Sequence, residues 1–87
     1  MPRYLSLHTL ACMTRQGAEA LVQKLSGSGG GVVLRRTAWN FIEGRMLAEM
    51  EGADREAVER WLAENNLRPA WVMRIEYESA GDELRAV

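Results

Sequence analysis

The strongest constraint on the fold is the run from Arg35 to Leu67, where a strand, a tight turn, a second strand and a capped helix follow one another without slack. Glu43-Gly44 separates two runs rich in apolar and aromatic residues, and glycine tolerates the positive φ that a tight hairpin turn needs. A turn centred on these two residues predicts the cross-strand pairs Ile42 with Arg45, Phe41 with Met46, Trp39 with Ala48 and Thr37 with Met50.

The rest of the chain supplies two more strands and one more helix. Thr14 and Asp54 are typical helix N-caps, and each precedes apolar residues at helical spacing. Alternating patterns at residues 3–10 and 71–78 predict the first and the last strand in chain order, and the first is expected to lie centrally in the sheet. The order β-α-β-β-α-β predicts an α+β, ferredoxin-like fold, a four-stranded antiparallel sheet with two helices on one face. We expect this domain at residues 1–78 and a C-terminal tail at 79–87 that is loose or depends on a partner for its structure.

Charge and composition exclude several classes of function. The formal net charge of −1 over 87 residues argues against nucleic acid as a partner, because such binding needs a basic surface. The single cysteine, Cys12, cannot form an internal disulfide. The N-terminus has no signal-peptide pattern, and no apolar run approaches the roughly 18 residues of a membrane helix. We therefore expect a cytoplasmic protein that binds no membrane and needs no cofactor.

One face of the predicted sheet is left uncovered by the helices. If the purer apolar side of each strand faces the helices, Trp39, Trp61 and Trp71 are core residues. The open face then carries Tyr4, Ser6, His8, Leu10, Leu34, Arg36, Ala38, Asn40, Leu47, Glu49, Glu51, Val72, Arg74, Glu76 and Glu78. A solvated face would not need Leu10, Leu34, Leu47 and Val72, so we expect a second copy of the chain to cover it as a homodimer.

His8 is the first candidate for a functional side chain, because the predicted central strand places it near Glu49 or Arg74. A histidine beside a carboxylate can act as a general base, a proton shuttle or a metal ligand. The alternative is a polar residue satisfied within the dimer interface. Arg36 is expected to form a cross-strand ion pair with Glu51. The candidate ligand-binding residues are His8, Arg36, Glu49 and Arg74, and no metal-ligand set is predicted.

Two segments of the chain carry a resemblance to a known family. They are the first strand, Pro2-Arg3-Tyr4-Leu5-Ser6-Leu7-His8, and the stretch from Gly44-Arg45 through Glu51-Gly52-Ala53-Asp54 to Glu56-Ala57-Val58. In these segments the chain resembles a family of small uncharacterised bacterial proteins. The resemblance implies a ferredoxin-like dimer of the α/β-barrel type, and one branch of the family is described as nickel-binding. His8 matches the first-strand histidine of that branch. The histidine that follows it in the branch is Thr9 here, and this chain has only one histidine. Nickel needs several nitrogen or sulfur donors.

Three functions remain open on the sequence. The first is a homodimeric module that binds a small ligand or a metal on the open face around His8. The second is a cofactor-free isomerase or monooxygenase of the dimeric α/β-barrel kind, with His8 as base and Arg36 or Arg74 holding an anionic substrate. The third is a structural interaction domain. A pocket beside His8 would favour the enzyme, and a dry interface over it would favour the structural role.

Overall fold

The computed structural model describes residues 1–87. Its strands are β1 (Arg3–Thr9), β2 (Val33–Asn40), β3 (Arg45–Glu51), β4 (Pro69–Ile75), β5 (Tyr77–Ala80) and β6 (Glu83–Ala86). Its helices are α1 (Arg15–Gly27) and α2 (Arg55–Glu64). The first six elements in chain order are those that the sequence predicts, and β5 and β6 follow them.

The main sheet is antiparallel and has the strand order β2-β3-β1-β4, so the first strand is central. Leu25 of α1 and Leu62 of α2 join Met46 and Met50 of β3 in a single core cluster. Both helices therefore cover the same face of the sheet. The predicted α+β architecture, with two helices and a four-stranded antiparallel sheet, is confirmed.

Both helices begin at the predicted caps. The Thr14 hydroxyl accepts a hydrogen bond from the Gly17 amide at 3.1 Å, and the Asp54 carboxylate accepts one from the Ala57 amide at 2.8 Å. These bonds satisfy amide groups that the first turn of a helix leaves without a backbone partner. Neither helix has the length and apolar character that crossing a membrane would require.

The loop between β2 and β3 is longer than predicted. Residues 41–44 form the loop, and Asn40 faces Arg45. The Asn40 side chain closes the loop, because its Oδ1 accepts from the Glu43 amide at 2.9 Å and its Nδ2 donates to the Glu43 carboxylate at 3.0 Å. Asparagine commonly makes such bonds to residues a short distance along the chain. Gly44 supplies the expected positive φ, 67°.

The predicted hairpin pairs are therefore wrong by two residues, and Trp39 faces Met46. Because two is an even number, the side chains near the loop keep their predicted faces. Between Leu34 and Arg36 the register shifts by one residue, which places a β-bulge at Arg35. Leu34, predicted on the open face, consequently lies opposite Met50 and packs against the core.

The predicted faces of β1 and β4 are inverted. Tyr4, Ser6 and His8 are buried beneath the helices, whereas Leu5 and Leu7 lie on the open face. The register explains the inversion, since the buried row of β3 stands opposite these three residues of β1. Residues that face each other in this sheet share one side of it. The more apolar side of β1 does not face the helices, because both faces of the sheet carry large apolar residues.

The same inversion changes the predicted environment of one tryptophan. Trp61 is 2% exposed in the core, and Trp39 is half-buried against it. Trp71 instead faces Leu7 across the sheet and is 42% exposed on the open face. Val72, predicted on the open face, packs against the core, as Leu10 also does.

Most of the predicted C-terminal tail is a hairpin and not a loose segment. β5 and β6 pair as a separate two-stranded sheet, with Ala80 facing Glu83 across the Gly81-Asp82 turn. Gly81 has a φ of 67°, which suits a two-residue hairpin turn. The predicted boundary after residue 78 therefore falls inside this C-terminal hairpin.

Candidate functional site

The open face of the sheet has an apolar half that no element of the chain covers. Large apolar side chains from the central and neighbouring strands stand side by side there in the observed register. They are Leu5, Leu7, Leu47, Trp71, Met73 and Ile75. Trp71 and Met73 are the most exposed of them, at 42% and 48%. A contiguous apolar patch on a sheet face is typical of an interaction surface.

The other half of the open face is a cleft of about 540 Å³ lined almost entirely by charged side chains. We call it the charged cleft, and its residues are Arg3, Val33, Arg35, Arg36, Glu49, Glu51 and Glu78. Its volume is that of a small-molecule site, but the cleft is shallow and wide open to solvent and has a single apolar side chain in its lining.

Ion pairs hold the charged cleft together. Arg3 contacts the Glu49 carboxylate at 3.2 Å and the Glu78 carboxylate at 2.6 Å. Arg35 contacts Glu49 at 3.1 Å and Glu51 at 3.0 Å. The two arginines thus bridge three strands of the main sheet and the C-terminal hairpin. The Arg3 and Glu49 side chains are only 14% and 17% exposed, so this pair is partly shielded from water.

The ion pairs shift the pKa values of two side chains in the cleft, Glu78 and Arg3. The hydrogen bond from Arg3 lowers the pKa of Glu78 below its usual 4.5, and the positive charges of Arg3, Arg35 and Arg85 act in the same direction. The same hydrogen bond to Glu78 raises the pKa of Arg3. Near neutral pH the Arg3 and Glu78 side chains are therefore both charged.

Two of the predicted site residues meet in this cleft. Arg36 stands opposite Glu49 in the register, and the expected pair of Arg36 with Glu51 is replaced by the pair of Arg35 with Glu51. The longer loop moves Arg36 from Glu51 to Glu49, and the bulge brings Arg35 to the open face, where it contacts Glu51. Arg36 itself has no carboxylate within 4.0 Å, because Glu49 and Glu51 already contact Arg35.

His8 lies on the opposite side of the sheet from the charged cleft. Its side chain is fully buried under the helices, and its Nε2 is 2.8 Å from the Ser6 hydroxyl. Its Nδ1 has no hydrogen-bond partner. Burial lowers the pKa of His8 from 6.5, and the backbone carbonyl of Arg68 offsets only part of that effect.

The predicted convergence of Glu49, Arg74 and Arg36 on His8 is therefore wrong. Arg74 of β4 pairs with Tyr4 of β1 and therefore lies on the helix-covered side of the sheet. The Arg74 side chain is nevertheless exposed to solvent. His8 lines none of the clefts at the surface. No group of three or more histidine, cysteine or acidic side chains is arranged to hold a metal ion.

The sequence analysis missed Arg3, Arg35 and the role of Glu78. Arg3 and Glu78 lie 75 residues apart in the chain and meet only because β4 runs beside β1 and the hairpin follows it. The Arg35-Arg36 doublet was a usable signal, since alternate glutamates at 49 and 51 stand on the neighbouring strand. Without a reason to expect a bulge, however, period two assigns the doublet to opposite faces.

Comparison with known proteins supports the fold alone. No protein-family model matches the chain, and no curated protein is similar enough to count as a relative. Among solved structures, the chain is similar to the crystal structure of SCO4226 from Streptomyces coelicolor A3(2), with a TM-score of 0.80 and 14% sequence identity. The similarity covers 88% of this chain and 99% of that one.

Proposed function

We propose that the chain is a ferredoxin-like subunit of a homodimer, of the small bacterial family that it resembles, and that it acts as a non-catalytic module binding a small polar ligand in the charged cleft. The proposal depends above all on one observation, an open sheet face divided into an exposed apolar half and a charged cleft. Each half supports one part of the proposed function.

The apolar half supports dimerisation. Trp71 and Met73 are the large apolar residues that a monomer leaves in contact with water on this face. Burial of apolar surface contributes roughly 25 cal/mol per Å², so packing two such faces together is favourable. Two copies related by a two-fold axis would each offer the same patch, which is the usual arrangement in a homodimer.

Trp71→Glu is expected to weaken this dimer by roughly 30-fold, the change that corresponds to loss of one interface hot spot. Sedimentation velocity over a concentration series measures the change. Ile42→Glu is the matched control, because Ile42 is 100% exposed at the β2 to β3 loop, away from the sheet face. A wild-type chain that stays monomeric at every concentration, or equal effects of the two variants, would contradict the dimer.

The charged cleft supports ligand binding. A partly shielded ion-pair cluster contributes little stability relative to apolar side chains, because desolvation of the charges offsets their attraction. Three arginines and three glutamates nevertheless surround an open volume next to the apolar patch. Groups of this kind fix the orientation of polar ligands by charge-assisted hydrogen bonds. His8 has no place in this site, because it is buried on the other side of the sheet.

Filling the cleft tests the binding proposal. Val33 is 53% exposed and is the one apolar residue of the lining, so Val33→Trp adds bulk without removing a charge. We expect a ligand-observed NMR screen of small polar compounds to yield binders of the wild-type chain that bind Val33→Trp at least about tenfold more weakly. Met73→Trp, on the apolar half, is the control. Binders that Val33→Trp retains at full affinity, or no binders at all, would leave the interaction domain as the better description.

A further inference from the structure

The β-bulge at Arg35 turns two consecutive arginines toward one site. In a regular strand Arg35 and Arg36 would point to opposite faces of the sheet. The register shift between Leu34 and Arg36 instead places both in the lining of the charged cleft. Bulges commonly occur beside functional sites, where they redirect a side chain.

Only one of these two arginines makes ion pairs with the glutamates of the main sheet. Arg35 contacts both Glu49 and Glu51, and Arg3 contacts Glu49 as well. Arg36 lines the same cleft and has no ion pair. A guanidinium has a planar set of donors that matches a carboxylate or a phosphate, so an unpaired one in a cleft is suited to bind an oxyanion.

The cleft already binds one carboxylate that comes from outside the main sheet. Glu78 belongs to the C-terminal hairpin, a separate two-stranded sheet, and its carboxylate lies 2.6 Å from Arg3. Glu78 is 46% exposed, so its contact with Arg3 is reached from solvent. An isolated two-stranded hairpin is marginally stable, which makes this carboxylate the most easily displaced of the three.

We infer that the ligand of the charged cleft is a small molecule carrying one oxyanion, a phosphate or a carboxylate, which Arg36 binds and with which the negative charge of Glu78 competes. The inference rests on the proposed function of the cleft and specifies the class of its ligand. Nucleic acids and other polyanions are disfavoured, because Glu49, Glu51 and Glu78 surround the single unpaired arginine.

Inorganic phosphate and acetate are the two probes of this inference, and each is titrated separately at low ionic strength. The readout is the NMR signal of each arginine Nε–H group in the full chain. Addition of either probe is expected to shift the Arg36 signal in a saturable way. Arg36→Gln is expected to weaken binding at least about tenfold. Glu78→Gln is expected to strengthen it roughly threefold to fivefold, because the substitution removes a negative charge from the lining of the cleft.

Arg15→Gln is the matched control, since Arg15 lies on the surface of α1 and pairs with Glu19 there. Equal affinities of Arg36→Gln and Arg15→Gln, or no change in Glu78→Gln, would overturn the inference. The choice between the two probes assigns the oxyanion as a phosphate or a carboxylate. If neutral compounds bind the cleft and neither probe binds, the inference is wrong but the proposed function is still supported. The absence of any cleft binder would remove both.

Discussion

Replacement of Leu62 with alanine is expected to lower the free energy of unfolding by about 2–5 kcal/mol. Leu62 is 0% exposed and belongs to the core cluster that joins α2 to the sheet. The truncation removes apolar contacts and leaves a cavity that close-packed neighbours fill only in part. Since small domains have a total stability of roughly 5–15 kcal/mol, this single change could remove a large share of it.

Urea unfolding followed by circular dichroism measures this loss. Leu84→Ala is the matched control, because the same atoms are removed from a side chain that is 73% exposed on β6. We expect the control to change stability by less than about 0.5 kcal/mol. Equal losses in the two variants would mean that α2 is not packed on the sheet as described.

Stability is also expected to fall as the pH is lowered below 6.5, because of His8. The pKa of His8 in the folded chain is lowered by burial, so the unfolded chain binds a proton at a higher pH than the folded chain does. Between the two pKa values the unfolded state holds more protons, and stability therefore decreases by about 1.4 kcal/mol for each pH unit. Above pH 6.5 the contribution is fully present.

The effect of His8 on stability occurs in a different pH range from that of the carboxylates. The pKa of Glu78 is lowered from 4.5, so its stabilising pair with Arg3 is lost only at more acidic pH. The chain has a single histidine, and its ring protons in NMR spectra therefore give the folded-state pKa directly. His8→Met should flatten the dependence of melting temperature on pH between 6.5 and 5. A ring that titrates at 6.5 or above in the folded chain would refute the explanation.

Local chemistry was enough to predict the elements and their order. Thr14 and Asp54 cap the helices as expected, because capping involves residues only three positions apart. The core positions of α2 also fit helical spacing, since Val58, Trp61 and Leu62 recur at three- and four-residue intervals and are all buried. The number and order of elements then left few arrangements for a chain of this length.

The candidate site could not be predicted in the same way, because it depends on the register of distant strands. The face of β1 is decided by its pairing with β3, where Ser6 lies opposite Ala48 under the helices and the Ser6 hydroxyl meets the His8 ring. No pattern within β1 alone contains that information. The longer loop, which places Arg36 opposite Glu49, and the bulge, which brings Arg35 to the same face, are equally hidden. Of the four predicted site residues, Arg36 and Glu49 line the charged cleft, and His8 and Arg74 do not.

The strand order has a consequence for how the protein is made. β1 is synthesised before β3 and β4, yet it lies between them and must pair with both. Its second neighbour is not complete until Ile75 has been synthesised, so the sheet can close only when most of the chain has emerged. Pairing of such distant segments is slow, because the entropy of the intervening loop is lost before the contacts form. Until β4 has been made, one edge of β1 therefore has no partner strand and is open to pairing with another chain.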